Sequence, residues 1–422
     1  MVRYSEPFLL SSSGSTRATA YGFSNKSITV DGRTHVVWLD AVAQVCGRTY
    51  DHGARQWSDT YRLFEGCDNH TSPALALDKD KRLHVAYGPH GFWGKWNYGM
   101  FKWAISEKPG RMDAWTGEES FGYNATYACL VHTTRDVDVI VYRGGDAPAS
   151  LMLQKQRPLG GWTSAREIVR QDIAPQYTHL GATAACAADG TLYVACHLYN
   201  VGGDYHGPRE LQRSHGVVVL KTSDLGETWT DMRGEPVTVP ALYEERIALP
   251  PLGANMRMNG LAVDSRGRLW ALSGSAGAES REVLLSRWTD AGWEATHLEP
   301  CLPADRIAVD CVLTIDTRDR IHAAVTALRP KELAETSGDG AWGHPSCEVF
   351  HLVSDVGVRD FECHQISTAD ETTANWLPNI SLKGLHQPVE KPVILYTRGV
   401  KGDGCSPSDK SEVYCVFVEE ID

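Results

Sequence analysis

An apolar run, a polar turn and a second run reading like LHVAYG come round seven times along the chain. The copies are THVVWLDA from Thr34, SPALALDKDKRLHVAYG from Ser72, YACLVHTTRDVDVIVYRGG from Tyr127, LGATAACAADGTLYVACHLY from Leu180, MNGLAVDSRGRLWALSGS from Met258, DCVLTIDTRDRIHAAVTAL from Asp310 and LPNISLKGLHQPVEKPVILYTRG from Leu377. Apolar runs bounded by Asp, Gly and Asn predict paired strands joined by tight turns. No helical period separates the copies. A unit of this size cannot bury its own apolar face, so the units must stack into one architecture. The expected fold is all-β: a seven-bladed β-propeller, one domain over residues 1–422, with four-stranded antiparallel blades around a central funnel.

The spacing supports that count. Second-strand markers fall at Thr34, Leu83, Val139, Leu192, Leu269, Ile321 and Val393, so successive intervals are 49, 56, 53, 77, 52 and 72 residues. A four-stranded blade takes about 40–50 residues plus loops. The two long intervals therefore imply insertions, placed near His206–Ser214 and Lys331–His344, where Gly, Pro and charge accumulate. Within the first of them, Thr222 to Trp229 (TSDLGETW) fits the Asp-box pattern, in which Asp and Gly make a hairpin turn and Trp pins it to the blade. Gly161-Trp162 and Gly292-Trp293 read as eroded copies. An Asp box signals a propeller and says nothing about a reaction. Strand-like runs near both ends, SITVDG and EVYCVFVEE, predict a ring closed by pairing one terminus with the other.

Composition changes the picture in three places. A net charge of −12 argues against a nucleic-acid partner. No apolar run approaches the roughly 20 residues of a membrane span, and MVRYSEPFLLSSSG lacks the apolar core of a secretory signal, so the expectation is a protein inside the cell or one whose signal has been removed. The eleven cysteines include no CxxC, and those inside strand runs, such as Cys129 and Cys196, read as small buried apolar residues. A zinc site built from Cys186 and Cys196-His197 is the alternative. The Asn-x-Ser/Thr triplets at Asn25, Asn69, Asn124 and Asn379 read as chance matches.

The second and third repeats are polar where the others are bland. Asp68-Asn69-His70-Thr71-Ser72-Pro73 precedes the first strand of repeat two and Tyr87-Gly88-Pro89-His90-Gly91 follows its second. Repeat three opens with Thr126-Tyr127 and closes with Tyr142-Arg143-Gly144-Gly145. Each pair brackets a hairpin, and in an antiparallel hairpin those two ends lie side by side. His70, His90, Tyr127 and Arg143 are therefore expected to meet at one end of adjacent blades. Two His, one Tyr and one Arg without a carboxylate partner suit proton abstraction beside a substrate carboxylate. Arg neutralises the carboxylate, and Tyr or His moves the proton.

DNHTSPALALDKDKRLHVAYGPHG together with TYACLV and VIVYRGG resembles the BNR-repeat seven-bladed propeller lyases, among them the ulvan lyases and rhamnosyl-glucuronate lyases. The resemblance extends to Asn375-Trp376-Leu377-Pro378. It implies a polysaccharide lyase that cleaves a uronate-containing glycan by β-elimination. His70 and Tyr127 take the acid and base positions, Arg143 neutralises the carboxylate, and His90 assists it. It implies no cofactor for the chemistry and leaves a structural calcium or zinc ion open, without a ligand set. This chain departs from the family in reading Tyr127-Ala128 where Tyr-Pro is frequent, and in carrying Tyr177-Thr178-His179 and Cys196-His197 in the fourth repeat.

Asn69, Trp93, Tyr177, His197, Arg257 and Asn259 are the candidate substrate-binding residues; Arg257 and Asn259 stand before the fifth repeat strand where Tyr127 stands in the third. Trp93 and Trp96 follow His90 and suit stacking on a sugar face. The expected partner is an acidic polysaccharide or oligosaccharide, bound by a monomer without nucleic acid or membrane. The competing readings are a sialidase-like or rhamnosidase-like glycoside hydrolase, and a propeller that binds glycans without catalysis. A sialidase needs an arginine triad with a Tyr/Glu nucleophile pair, and the FRIP-type start motif is missing.

Overall fold

The computed structural model describes residues 2–91, 99–146, 149–170, 177–201, 212–251, 256–275, 282–330, 343–368, 370, 372–400 and 411–420. Its strands form seven antiparallel sheets, the blades of a β-propeller. Each second-strand marker falls on or beside the second strand of its blade: Arg33–Leu39, Leu83–Tyr87, Asp138–Gly144, Leu192–Val201, Leu269–Ser275, Ile321–Leu328 and Val393–Gly399.

One turn explains why five of the inner hairpins form alike. In blades two to six the inner and second strands are joined by a four-residue turn closed from the fourth amide to the first carbonyl, as in Lys81 N–H to Asp78 O and Asp319 N–H to Asp316 O. The fourth residue sits in the left-handed region: Lys81 at φ 63°, Asp136 at 58°, Gly190 at 90°, Gly267 at 78° and Asp319 at 63°. In three of these turns an Asp at the first position also collects later turn amides, Arg82 on Asp78, Arg268 on Asp264 and Arg320 on Asp316. The strands so joined are buried on both faces, because each blade packs between two others. Val139, Ile140 and Val141 illustrate this, the outer two joining one apolar cluster and Ile140 another.

The ring closes between the termini. Val2–Tyr4 and Phe8–Gly14 both pair with Ser411–Glu420, the strand containing EVYCVFVEE. SITVDG is not the closing segment; Ser27–Val30 is the innermost strand of blade one. Between these elements, residues 15–26 cross the central channel. Thr19 Oγ1 donates to Leu377 O at 2.6 Å, Trp376 Nε1 donates to Thr16 O at 2.9 Å, and Asn379 Nδ2 donates to Tyr21 O and Ser24 O at 3.0 Å each. Ser24 Oγ reaches Ala128 O at 2.5 Å and the buried Lys26 Nζ reaches Ser72 Oγ at 2.8 Å. A Cβ on Gly22 would stand 2.9 Å from Val312, so the close approach requires glycine.

The Asp box forms as a turn. Asp224 accepts from Thr222 Oγ1, Thr228 N and Thr228 Oγ1, and Trp229 Nε1 donates to Gly226 O at 3.2 Å. Burial works against ionisation of Asp224, yet the Thr228 and Thr222 hydrogen bonds hold its pKa down at about 2. Of the two expected insertions, residues 206–211 and 331–342 lie outside the described residues. Among the described residues the cysteines are free. Cys186 and Cys196 stand at opposite ends of one hairpin, opposite Leu192 and Ala182 respectively. A four-residue offset is roughly 13 Å of strand, so a zinc site shared by the two is ruled out. No helix among the described residues is long and apolar enough to cross a membrane.

Candidate active site

The inner strands are bent where they line the channel. Register slips occur between Thr126 and Cys129, Met258 and Gly260, Ala308 and Asp310, and Trp376 and Asn379. In blade four the inner strand is broken outright, into Tyr177–His179 and Ala182–Cys186. Such bulges re-aim a side chain out of the sheet alternation. Tyr127 occupies the slip in blade three with φ at 64°, a conformation that costs a non-glycine residue on the order of 1–3 kcal/mol. Asn259 occupies the slip in blade five.

This bend brings the four candidate residues together. Thr126 stands opposite Arg143 across the hairpin. The Arg143 guanidinium lies over the Tyr127 ring, 5.0 Å from its centroid, and its Nη2 donates to Thr126 Oγ1 at 3.4 Å. The His70 and His90 rings stack with centroids 4.2 Å apart and planes 16° apart. Tyr127 lies 6.3 Å from the first and 6.0 Å from the second. Tyr127 and Arg143 are buried, while the His70 side chain keeps 18% exposure.

Three further residues complete the group. Asp68 holds both histidines by their backbones: Oδ1 accepts from His70 N at 2.7 Å and Oδ2 from His90 N at 2.9 Å. The set therefore has a carboxylate partner after all, although it grips the main chain. Tyr21 packs edge-on against Tyr127 at 4.8 Å, and Arg17 Nη1 donates to the Tyr21 hydroxyl at 2.8 Å. Arg17 and Tyr21 escaped the sequence reading because they precede the first repeat, in the segment that crosses the channel. Asp68 was legible as part of DNHTSP, but its role depends on the chain returning at His90.

The electrostatics are lopsided. Burial, then Arg17, His90 and Arg143, push His70 well below the ordinary imidazole pKa. Burial, then Arg143 and Arg17, push His90 down to about 3. Burial also raises Asp68, against the amide bonds it accepts. The result is two neutral imidazoles beside two guanidinium groups, a place prepared for an anion and able to accept a proton.

The other candidates are placed differently. Asn69 is half-buried between Asp68 and His70. Trp93 and Trp96 lie outside the described residues. Tyr177 is in the short strand that pairs with the C-terminal end of Leu192–Val201. His197 is buried between blades four and five, with Gly181 N 3.3 Å from Nε2 and Met258 N donating to Nδ1 at 3.1 Å. Burial and Arg257 lower its pKa to about 3. Arg257 and Asn259 line a small pocket with Glu282, Asp310 and Cys311. Asn259 Nδ2 lies 3.5 Å from Asp310 Oδ1. Burial raises Asp310 to about 7, against the opposing pull of the Cys311 amide and Arg257.

Known proteins resemble this chain at two levels. Ulvan lyase from Alteromonas sp. (strain LOR) is 20% identical over 244 residues, 51% of this chain and 49% of that protein. Ulvan lyase from Nonlabens ulvanivorans is 23% identical over 149 residues, 31% of this chain and 32% of that protein. The chain thus spans about half or less of the length of these curated relatives. Among solved structures, the PL25 ulvan lyase superposes with a TM-score of 0.73 at 15% identity, over 98% of this chain and 96% of that one. The same lyase bound to -[GlcA(1-4)Rha3S]- superposes equally well. The polysaccharide lyase Uly1 follows with a TM-score of 0.59 at 13% identity, over 98% and 99%. At these identities the superpositions establish a shared fold. Residues 33–300, more than half of the chain, match the model of the BNR repeat-containing family, and the chain is a member of that family.

Proposed function

We propose that the protein is a polysaccharide lyase that cleaves an acidic glycan at a uronate residue by β-elimination. The carrying observation is the cluster of stacked neutral His70 and His90 with Tyr127 under Arg143 and Arg17 nearby. A uronate carboxylate placed between the guanidinium groups loses part of its charge repulsion with a developing carbanion, which acidifies the adjacent C–H. His70, held without a proton, accepts that hydrogen. The electron pair forms the new C–C double bond as the C–O bond to the leaving sugar breaks. The Tyr127 hydroxyl stands ready to protonate the departing oxygen. Arrival of the carboxylate also offsets the Arg charges that depress the imidazoles, so the base strengthens once substrate is bound. The names of the curated relatives and the oligosaccharide bound to the solved neighbour support a uronate polysaccharide as substrate.

The common hydrolytic mechanism uses two carboxylates flanking the bond, and a sialidase uses a Tyr/Glu pair. Asp68, the carboxylate beside these rings, is engaged by two backbone amides. The test is incubation with a panel of uronate polysaccharides while following ultraviolet absorbance and reducing ends together. New reducing ends with absorbance support elimination; new reducing ends without it support hydrolysis; neither product from any of the panel supports a binding propeller.

A further inference from the structure

The segment that crosses the channel ends on a lysine that solvent does not reach. Lys26 is fully buried, and its Nζ donates to Ser72 Oγ at 2.8 Å and to Pro73 O at 3.1 Å. Neither acceptor is a carboxylate. Burial holds the amine well below the ordinary lysine pKa. A neutral amine keeps two N–H bonds, one for each of these acceptors. Taking it out of water costs more than burying an apolar chain of the same length. Its grip on those two oxygens is what sets it apart from such a chain.

Ser72 is a junction. Its Oγ also donates to Ala20 O at 2.6 Å and accepts from Tyr21 N at 3.2 Å. With Lys26 Nζ as the second donor, the hydroxyl's one proton and two lone pairs are all used. Ser72 stands two residues after His70. The Tyr21 ring packs edge-on against Tyr127 at 4.8 Å and faces His70 at 6.4 Å, and its hydroxyl accepts from Arg17 Nη1 at 2.8 Å. The main chain of Lys26 is fixed from the last blade: its N–H donates to Asn379 Oδ1 at 3.3 Å, and Asn379 Nδ2 donates to Tyr21 O at 3.0 Å. A hydrogen-bonded path thus runs from Lys26 through Ser72 and the Tyr21 main chain to the Tyr21 hydroxyl and Arg17.

We propose that Lys26 is a positioning residue for the elimination: acting through Ser72 and Tyr21, it sets the Arg17 guanidinium against His70 and the incoming carboxylate. The proposal rests on the lyase reading above for the identity of that carboxylate. Lys26 itself touches neither substrate nor reacting atoms. His70 reports on the placement without substrate. Its ring faces Arg17, His90 and Arg143, with Asp68 Oδ1 3.8 Å from Nδ1, and Arg17 is the largest of the charges that depress it. The rival is a lysine that supports the fold alone.

The experiment compares the full chain with Lys26→Met, Arg17→Ala and the double variant. Two quantities are read: the titration of His70 by NMR of histidine-labelled protein, and kcat/KM on a uronate polysaccharide. Lys26→Met should let His70 take up its proton at a higher pH, as Arg17→Ala does, and should lower kcat/KM by about 10–10²-fold, the effect of a misplacement of about 1 Å. In the Arg17→Ala background, Lys26→Met should move neither quantity further, because both changes remove one interaction. Ser72→Ala cuts the same path and takes the place of Lys26→Met if that variant does not fold. An unchanged His70 titration, or losses that multiply in the double variant, overturns the proposal. A parent protein that cleaves no uronate polysaccharide overturns the lyase reading, and the titration still decides whether Lys26 places Arg17.

Discussion

Blades three and five bend their inner strands in the same way, yet they present opposite chemistry to the channel. In blade three the bulge delivers Tyr127 beneath Arg143, next to two imidazoles whose charge is suppressed. In blade five it delivers Asn259 beside Asp310, with Arg257 on the same pocket wall. The first region has positive charge in excess and groups that can exchange a proton. In the second, Arg257 has an acidic neighbour of its own, and the nearest histidine, His197, is held against two backbone amides. A shared backbone device thus supplies position, while the residue at the bulge and its charge balance decide what the position can do.

The comparison is broken most directly at Tyr127. On a uronate substrate, Tyr127→Phe should lower kcat by about 10²–10⁴ with substrate binding retained, the usual worth of a positioned proton donor or acceptor. Full activity in this variant would remove the distinction between the two bulges. Arg143→Ala should fail comparably, and Arg143→Lys should recover only part of the rate, because an ammonium cannot make the planar two-point contact with a carboxylate. Equal rates for the Lys and wild-type enzymes would show that Arg143 contributes charge alone.

In blade five a smaller and different response is expected. Asn259→Ala should raise KM by roughly tenfold or less and leave kcat near its parent value, as for a group that binds ground and transition states alike. A fall in kcat as large as that of Tyr127→Phe would place the chemistry in both blades. His197→Ala should act on stability, by about 1–3 kcal/mol, because it strands the Met258 amide, which donates to Nδ1, in the interior. Urea unfolding measures this, and the folded variant should keep its turnover.

A further test is the pH response of His90. Its folded pKa of about 3 lies below the ordinary 6.5, so between those values the unfolded chain takes up a proton that the folded chain refuses. Stability should therefore be flat with respect to this group above pH 6.5 and fall as the pH drops toward 3. Urea unfolding across that range should show a shallower dependence in His90→Gln. An unchanged slope would mean that His90 is as easily protonated in the fold as outside it.

The number of blades, their second strands and the hairpin turns were written in local sequence, because a strand–turn–strand unit depends on apolar alternation and on Asp or Gly a few residues away. The meeting of Tyr127 with Arg143 was legible for the same reason, since hairpin ends meet wherever the hairpin lies, although the residue directly opposite Arg143 is Thr126. What the sequence could not determine was everything set by contacts between distant segments. Residues 15–26 carry no repeat signal, so nothing local announces that Tyr21, with Arg17 on its hydroxyl, joins His70 and Tyr127, 49 and 106 positions away. SITVDG looked suited to closing the ring; only the packing of the first and last blades chose Val2–Tyr4 and Phe8–Gly14. Likewise Cys196-His197 and Arg257 advertised chemistry, but burial between blades turned His197 toward backbone amides and set Arg257 beside Asp310. Residue type states what a side chain is able to do. Solvent exposure and charged neighbours, which the tertiary structure alone supplies, decide which of those abilities remains available.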